Sequence, residues 1–508
     1  MPALLTQRLF FWGAGAIVVA SLLMVIWPGT AQAFTHYLQA AYSPYPNIPN
    51  SRIDNCSLCH QTDTVNWPGL NRFGQDYASH GYSFAAISGL DSDNDSYTNQ
   101  AELTALSFPG NFTDRPLSVS GRPYPLYLPI VFKKPLPVSN GQYVVLAWND
   151  LGMHCMDPSY EDFAVLPPFN TLWAQVIRRG KEPDVVTNKV TVEYKIIDNS
   201  YSVIKTNFWD YAHQLFNLPK PLPPNVGLAG FGLNGQMHTS GDHFVAEGIP
   251  LTEYRDSDRT TPYPYQLAEV VAKDQDGNIL ASTQTVAPIS TEMNCQNCHT
   301  DNGQGNPGIA TGVLKQNILT WHDAEEGTHL MDNRPVLCAN CHSSNALGLP
   351  GTADVPNLSL AMHRKHQPLD DFTMEGTCYQ CHPGPDTKCL RGAMYQNGET
   401  CQSCHGNMAD VANPSRRPWL DEPRCTQCHD AAHGENPNKL YRFSTGHGGV
   451  YCQACHGSQH AIYPSIEPND NIQSVLQQGH AGTLSQCTVC HTRVPDEDEG
   501  PHQGDDDD

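Results

Sequence analysis

The sequence predicts a mixed architecture: a loop-rich, α-type domain built around covalently held cofactors, plus a β-sandwich-like middle domain. Two observations carry this expectation. The pattern Cys-x-x-Cys-His occurs eight times in 508 residues, with seven copies between residues 295 and 491. The stretch 113–290 lacks that pattern and alternates β-rich runs with turns. The 40 Gly and 40 Pro favour turns over long regular elements. A formal charge of −23 argues against a nucleic-acid partner, whose phosphates require a basic face.

Residues 1–33 read as a secretory signal peptide. Arg8 precedes an apolar run from Phe10 to Trp27, and Ala31 and Ala33 stand at −3 and −1 of the expected cleavage point. The run is also long enough to span a bilayer, so an uncleaved anchor is the other reading. Cleavage leaves no stable membrane anchor and a mature charge of −24. The expected location is the periplasm or the cell surface, where thiols pair unless otherwise used.

The repeated pattern supplies the thiol pairs Cys56 and Cys59, Cys295 and Cys298, Cys338 and Cys341, and Cys378 and Cys381. It continues with Cys401 and Cys404, Cys425 and Cys428, Cys452 and Cys455, and Cys487 and Cys490. The histidines that follow are His60, His299, His342, His382, His405, His429, His456 and His491. This is the spacing of c-type heme attachment, in which two thioethers hold the porphyrin and the adjacent imidazole is the proximal iron ligand. Zinc ribbons need no histidine after every pair. A thioredoxin-like redox pair occurs once, and a disulfide framework gives no reason for eight identical spacings. Eight covalent heme c groups are expected, and the loop-rich α-type domain, residues 291–493, reads as a heme-dependent multiheme c-type cytochrome fold.

Fifteen histidines lie outside the motifs, enough to give every iron a second imidazole. The candidate distal ligands are His36, His80, His154, His322, His329, His363, His366, His433, His447, His460 and His480. His363 and His366, in MHRKH, can serve two neighbouring irons from one helical turn. His502, in the acidic tail, is the weakest candidate. Met331, Met362 and Met408 are alternatives that would raise the potential.

Four regions follow the leader. Residues 34–112 form a monoheme module, in which an amphipathic stretch offering His80 precedes LDSDNDSYTNQAEL. Asp91, Asp93, Asp95, the Tyr97 carbonyl, Asn99 and Glu102 occupy positions 1, 3, 5, 7, 9 and 12 of an EF-hand-type Ca²⁺ loop, with Ser96 in place of the usual turn glycine. A solvated acidic turn is the alternative. Residues 113–290 hold the strands YVVLAW, TLWAQVIRR and VTVEYKIID, and a hairpin about DQDGN. In the segment NDLGMHCMD, His154 is equally placed to reach a heme or to pack in the core.

Residues 291–493 hold seven hemes at about 28 residues each, so the porphyrins must form much of the core. Short helices at the motifs, loops elsewhere and little sheet are expected. Residues 494–508 read as a disordered acidic tail. Cys155 and Cys389 are left over, and a disulfide joining the β-rich and heme regions is expected, with two free buried thiols as the alternative.

Several stretches resemble the large multiheme c-type cytochromes of metal-reducing bacteria: PVLCANCHSSNALGLPG, AMHRKH, CYQCHPGPDTKCLRGAMYQNGETCQSCHG, RRPWLDEPRCTQCH and GHGGVYCQACHGSQHA. The segment LNRFGQDY…DSDNDSYTN resembles the monoheme calcium module that accompanies such proteins. The resemblance implies extracytoplasmic conduction of single electrons toward redox proteins or extracellular acceptors, with self-association into oligomers or filaments left open. The competing reading is an octaheme oxidoreductase acting on a small nitrogen or sulfur compound at one open heme. Against it, no motif histidine is replaced by lysine and only 17 residues follow His491.

Overall fold

The computed structural model describes residues 40–48, 53, 58–60, 70–93, 97–111, 141–367, 377–495 and 502. The expected leader, His36, Cys56, Asp95 and most of the acidic tail lie outside these. The chain forms two compact units, Met1–Leu126 and Tyr127–Asp508. The β-rich and heptaheme regions, read separately in the sequence, share the second unit.

The first unit packs three short helices, α1 (Arg72–Ser79), α2 (Phe84–Ile87) and α3 (Asn99–Ala105), around Ile53, Leu58, Phe73, Tyr77, Ile87 and Leu103. Asn71, Ser83 and Thr98 cap these helices through their side chains, satisfying amides that would otherwise lack partners. Gly74 lets α1 press on the motif turn, because a Cβ there would lie 2.0 Å from the Cys59 carbonyl oxygen.

In the second unit, strand β1 (Tyr143–Asn149) is followed by the short β2 (His154–Cys155) and β3 (Phe163–Ala164). Then come β4 (Asn170–Arg178), β5 (Asp184–Val185), β6 (Val190–Ile196) and helix α4 (Phe208–Leu215). The sheets are completed by β7 (Asn234–Gln236), β8 (His238–Ser240), β9 (His243–Ile249), β10 (Tyr265–Asp274) and β11 (Ile279–Ser290). One sheet runs β1-β4-β9-β8, with β5 also on β4; the other runs β2-β11-β10-β6-β7. The two share one core, built from Val145, Leu172, Ala174 and Ala246 on one side and Val192, Ile196, Val270 and Ile289 on the other. The expected hairpin is β10–β11, closed at Asp274, whose carboxylate accepts the amides of Asp276 and Asn278.

Strand β1 is buried on both faces, as its continuous apolar run YVVLAW allows. Val145 and Ala147 face the shared core, whereas Val144, Leu146 and Trp148 pack with Tyr451 and Ala454 at a heme motif. The free edge of β1 is capped by side chains instead of a strand: Ala147 N–H donates to Gln473 Oε1 at 2.6 Å, and Gln477 Nε2 donates to the Val145 carbonyl at 3.4 Å. An edge covered in this way cannot template pairing with another chain.

The rest of the unit is short helices and turns. They include α5 (Gln296–His299), α6 (Leu314–Glu326), strand β12 (Val336–Leu337) paired with β3, and α7 (Leu358–His366). Helices α8 (Ala393–Gln396), α9 (Cys401–His405), α10 (Met408–Val411), α11 (Cys452–His456) and α12 (Ile472–Gln478) follow. Three motifs begin in single 3₁₀ turns, Cys338–Asn340, Cys425–Gln427 and Cys487–Val489. Among the described residues no helix is long and apolar enough to cross a membrane.

Candidate heme-binding sites

Five motif turns place their histidines by the same local bond: the histidine amide donates to the carbonyl of the first cysteine, at His299, His342, His382, His429 and His491. The short turn holds two sulfurs and one imidazole in a fixed arrangement. What stands opposite each imidazole decides whether a heme iron fits. An iron between two imidazoles, with metal–nitrogen bonds of about 2 Å and about 1.1 Å from nitrogen to ring centre, separates the ring centres by about 6.2 Å.

Motif histidines meet second imidazoles at this separation. His299 faces His366 at 6.2 Å, His342 faces His322 at 6.3 Å, His382 faces His363 at 6.2 Å, and His405 faces His460 at 6.3 Å. His491 faces His447 at 5.7 Å, with the two Nε2 atoms 3.5 Å apart. His456 faces His502 at 5.8 Å. One turn of α7 thus addresses two motifs, through His363 and His366.

In five of these imidazoles the other ring nitrogen is occupied, which orients the ring and leaves Nε2 for a metal. Nδ1 of His363 donates to Ser359 O, that of His366 to Met362 O and that of His342 to Pro356 O, each at 2.8 Å. His299 Nδ1 donates to Asn306 Oδ1 at 2.7 Å. His322 Nδ1 meets Thr328 Oγ1, which in turn donates to Asp323. Gly305 lies flat on the His299 ring, since a Cβ there would come 2.7 Å from its Cε1. Burial, then neighbouring imidazoles, pushes His382 and His405 down to about 4. Both are neutral at pH 7, the state that ligates metal. This donor set fits c-type heme.

Neighbouring motifs in the unit are linked by direct contacts. Asn317 of α6, the helix that carries His322, donates to the His299 carbonyl at 3.1 Å. Asn294 donates to the Tyr379 carbonyl at 2.9 Å, joining the motifs at 295 and 378. Burial raises the Cys404, Cys425 and Cys455 thiols, and thiols of neighbouring motifs raise them further. Cys404 feels Cys428, Cys425 feels Cys452, and Cys455 feels Cys490. The succession is 338, 295, 378, 401, 425, 452 and 487, numbered by first cysteine.

The β layer positions this array. Lys315 of α6 donates to Asp157 Oδ1 at 2.7 Å and to the carbonyls of Ser159 and Phe163, while Asp157 Oδ2 accepts the amides of Val165 and Leu166. Ser458 Oγ donates to Asn149 O at 2.7 Å, two residues before His460. The NDLGMHCMD segment is therefore a junction, and its His154 is buried against Asp150 at 3.0 Å instead of facing a motif imidazole.

Other candidates fall elsewhere. His80 bonds the Asp76 carbonyl in its own unit, His329 is exposed, and His480 bonds Ala481 O. His433 is held by Asp430 at 2.6 Å and lies 5.1 Å from His502. His502, set aside for its acidic surroundings, stands opposite His456; nothing local in the sequence marked it. His243 stacks on Trp173 at 4.3 Å and bonds Asp242 and Tyr451, a packing role.

No S–S bond joins Cys155 and Cys389, which are free thiols close enough to influence each other. Burial pushes Cys389 up to about 11 and Cys155 higher, so neither is a ready thiolate nucleophile at neutral pH.

In the first unit, Asp93 and Glu102 are buried at 4% and 0% exposure. Asn99 is tied inward, its Nδ2 donating to Ile87 O and Ser92 Oγ, so it braces the acidic loop. Among the described residues no three His, Cys, Asp or Glu side chains gather as a metal site. Asp95 lies outside them.

A family model described as cytochrome c554 and c-prime matches residues 408–457. The match spans the motifs at 425 and 452, with His433 and His447 between or beside them. No curated protein and no solved structure matches the chain. The motifs and this match together support a c-type cytochrome with covalently held heme c and a role in electron transfer.

Proposed function

We propose that the chain is an exported octaheme c-type cytochrome whose hemes are mostly held between two histidines and pass single electrons along a contiguous row. The observation that carries this reading is the set of imidazole pairs spaced 5.7 to 6.3 Å apart. Bound heme supplies a one-electron iron couple, tuned by its axial ligands and burial. The chain's own residues do the rest. His366, His322, His363, His460, His447 and His502 would hold the irons opposite their motif histidines. Asn306, Thr328 and the backbone carbonyls fix the ring orientations, so little reorganises when charge changes. Lys315–Asp157 and the capped edge of β1 hold the array on the sheets. The EF-hand-type spacing of Asp91, Asp93, Asp95, Tyr97, Asn99 and Glu102, with Asp93 and Glu102 buried, supports a bound Ca²⁺ in the monoheme module.

The strongly acidic surface, made more so by heme propionates, suits cationic or metal-linked redox partners outside the cytoplasm. Intact-mass measurement tests the cofactor count directly, with eight hemes per chain expected. Low-temperature EPR of the ferric protein should be dominated by low-spin signals. His363→Ala and His366→Ala should each convert one low-spin heme to high-spin, and a different one in each variant. Spectra unchanged in both would overturn the ligand assignment.

A further inference from the structure

We infer that the heme carried by Cys425 and Cys428 receives no second histidine from the Tyr127–Asp508 unit and binds a small exogenous ligand on its distal face. The inference rests on the reading above that the motifs hold heme. Every histidine of the Tyr127–Asp508 unit is among the described residues. Six of the seven motif imidazoles in that unit face another imidazole; His429 faces none, and its described bond is the backbone one to the Cys425 carbonyl.

The nearest histidine in sequence is unable to fill the place. His433 follows His429 after a single 3₁₀ turn, Ala431–His433, capped by Asp430. Asp430 Oδ1 accepts both the His433 amide and its Nδ1, at 3.1 and 2.6 Å. A turn that short leaves both imidazoles on one side of the macrocycle, and the His433 ring lies 5.1 Å from that of His502. The motif itself is firmly built. Buried Glu435 accepts from the Cys425 amide at 2.9 Å, Thr426 Oγ1 at 2.9 Å and Arg424 at 3.2 Å, and Gly434 lies against Thr426, leaving no room for a side chain. A well-ordered proximal side without a distal imidazole is the arrangement of a ligand-binding heme. Its place within the row of motifs, between those at 401 and 452, allows electrons to arrive from either side.

The class of ligand is a small π-acceptor, for which carbon monoxide is the probe. On the intact holoprotein, EPR should count one high-spin heme per chain, and the reduced protein should bind one carbon monoxide per chain. Cys425→Ser/Cys428→Ser should lose one heme by mass together with both signatures. Should that variant fail to fold, His429→Gly keeps the thioethers and should shift the iron–CO vibration, with imidazole restoring it. Eight hemes by mass with no high-spin signal, a carbon monoxide site that survives loss of this heme, or a high-spin signal that vanishes as chains associate would each overturn the inference. A mass below eight hemes would instead refute the cofactor reading on which it rests.

Discussion

Arg391 is fully buried and its guanidinium clasps Asp470, with Nε to Oδ2 at 2.7 Å and Nη2 to Oδ1 at 2.8 Å. Nη1 also donates to the Cys389 carbonyl at 3.0 Å, and the Arg391 amide donates to the carbonyl of His460 at 2.9 Å. The pair thus ties the 388–392 loop to the segment that carries a candidate iron ligand. Arg391→Met keeps the volume and the backbone bonds but leaves Asp470 buried with Ser465 Oγ as its remaining side-chain partner. Breaking a buried pair on one side costs about 3–5 kcal/mol. At about 4 kcal/mol the unfolding equilibrium shifts roughly a thousandfold. The double variant Arg391→Met/Asp470→Leu removes the stranded charge and should recover most of that loss, because a packed apolar pair replaces a buried ion pair at little net cost. Guanidinium unfolding followed by heme absorbance measures both, and the Soret band reports whether the iron ligands loosen first. A single variant within about 1 kcal/mol of the parent, or a double variant as unstable as the single, would refute the reasoning.

Three further outcomes are expected. Burial, and then Asp470, pushes the Glu467 carboxyl up to about 7. The folded chain holds this proton where the unfolded chain releases it, so its contribution to stability is complete below about 4.5 and is lost as pH rises to about 7. The window is worth roughly 3 kcal/mol, and Glu467→Gln should flatten that part of the stability–pH profile. Gly305→Ala should tilt the His299 ring and move one reduction potential in a spectroelectrochemical titration, leaving the other hemes in place; an unchanged titration would mean the ring does not rest on Gly305. Calcium chelation should lower the melting temperature, and Glu102→Gln should abolish that response; a parent protein indifferent to chelators would remove Ca²⁺ from the module.

How far these features were legible in the sequence depends on how local their chemistry is. Cys-x-x-Cys-His is a complete local statement, since thioethers and proximal ligand come from five consecutive residues. Strands β1, β4, β6 and the β10–β11 hairpin were visible for the same reason: their period and turn residues lie within single segments. A distal ligand depends on tertiary approach. His363 and His366 were legible as candidates because MHRKH puts both on one helical turn, whereas nothing in NDLGMHCMD showed that His154 turns to Asp150. His502 was masked by its composition. The merging of the β-rich and heme regions was also hidden, because nothing in YVVLAW says that its second face meets Tyr451 and Ala454.

That second face bears on how an electron row keeps its spacing. Tunnelling between cofactors depends on fixed separations, yet residues 291–493 consist mostly of turns, which by themselves are poor rulers. Helix α6 brings His322 to its place through Lys315, whose three acceptors, Asp157, Ser159 and Phe163, lie on the β side. Tyr451, one residue before a heme cysteine, has its amide on Gln175 of β4 and its ring against Trp148 and Trp173. Thr492, one residue after the last motif histidine, donates its amide to Gly180 O just beyond β4. The first motif of the row and its last two are therefore anchored to the sheets at separate points. Covalent attachment fixes each cofactor to its own turn, and the sheets fix those turns to one another. On the proposed reading, the 113–290 region contributes to conduction without a heme of its own.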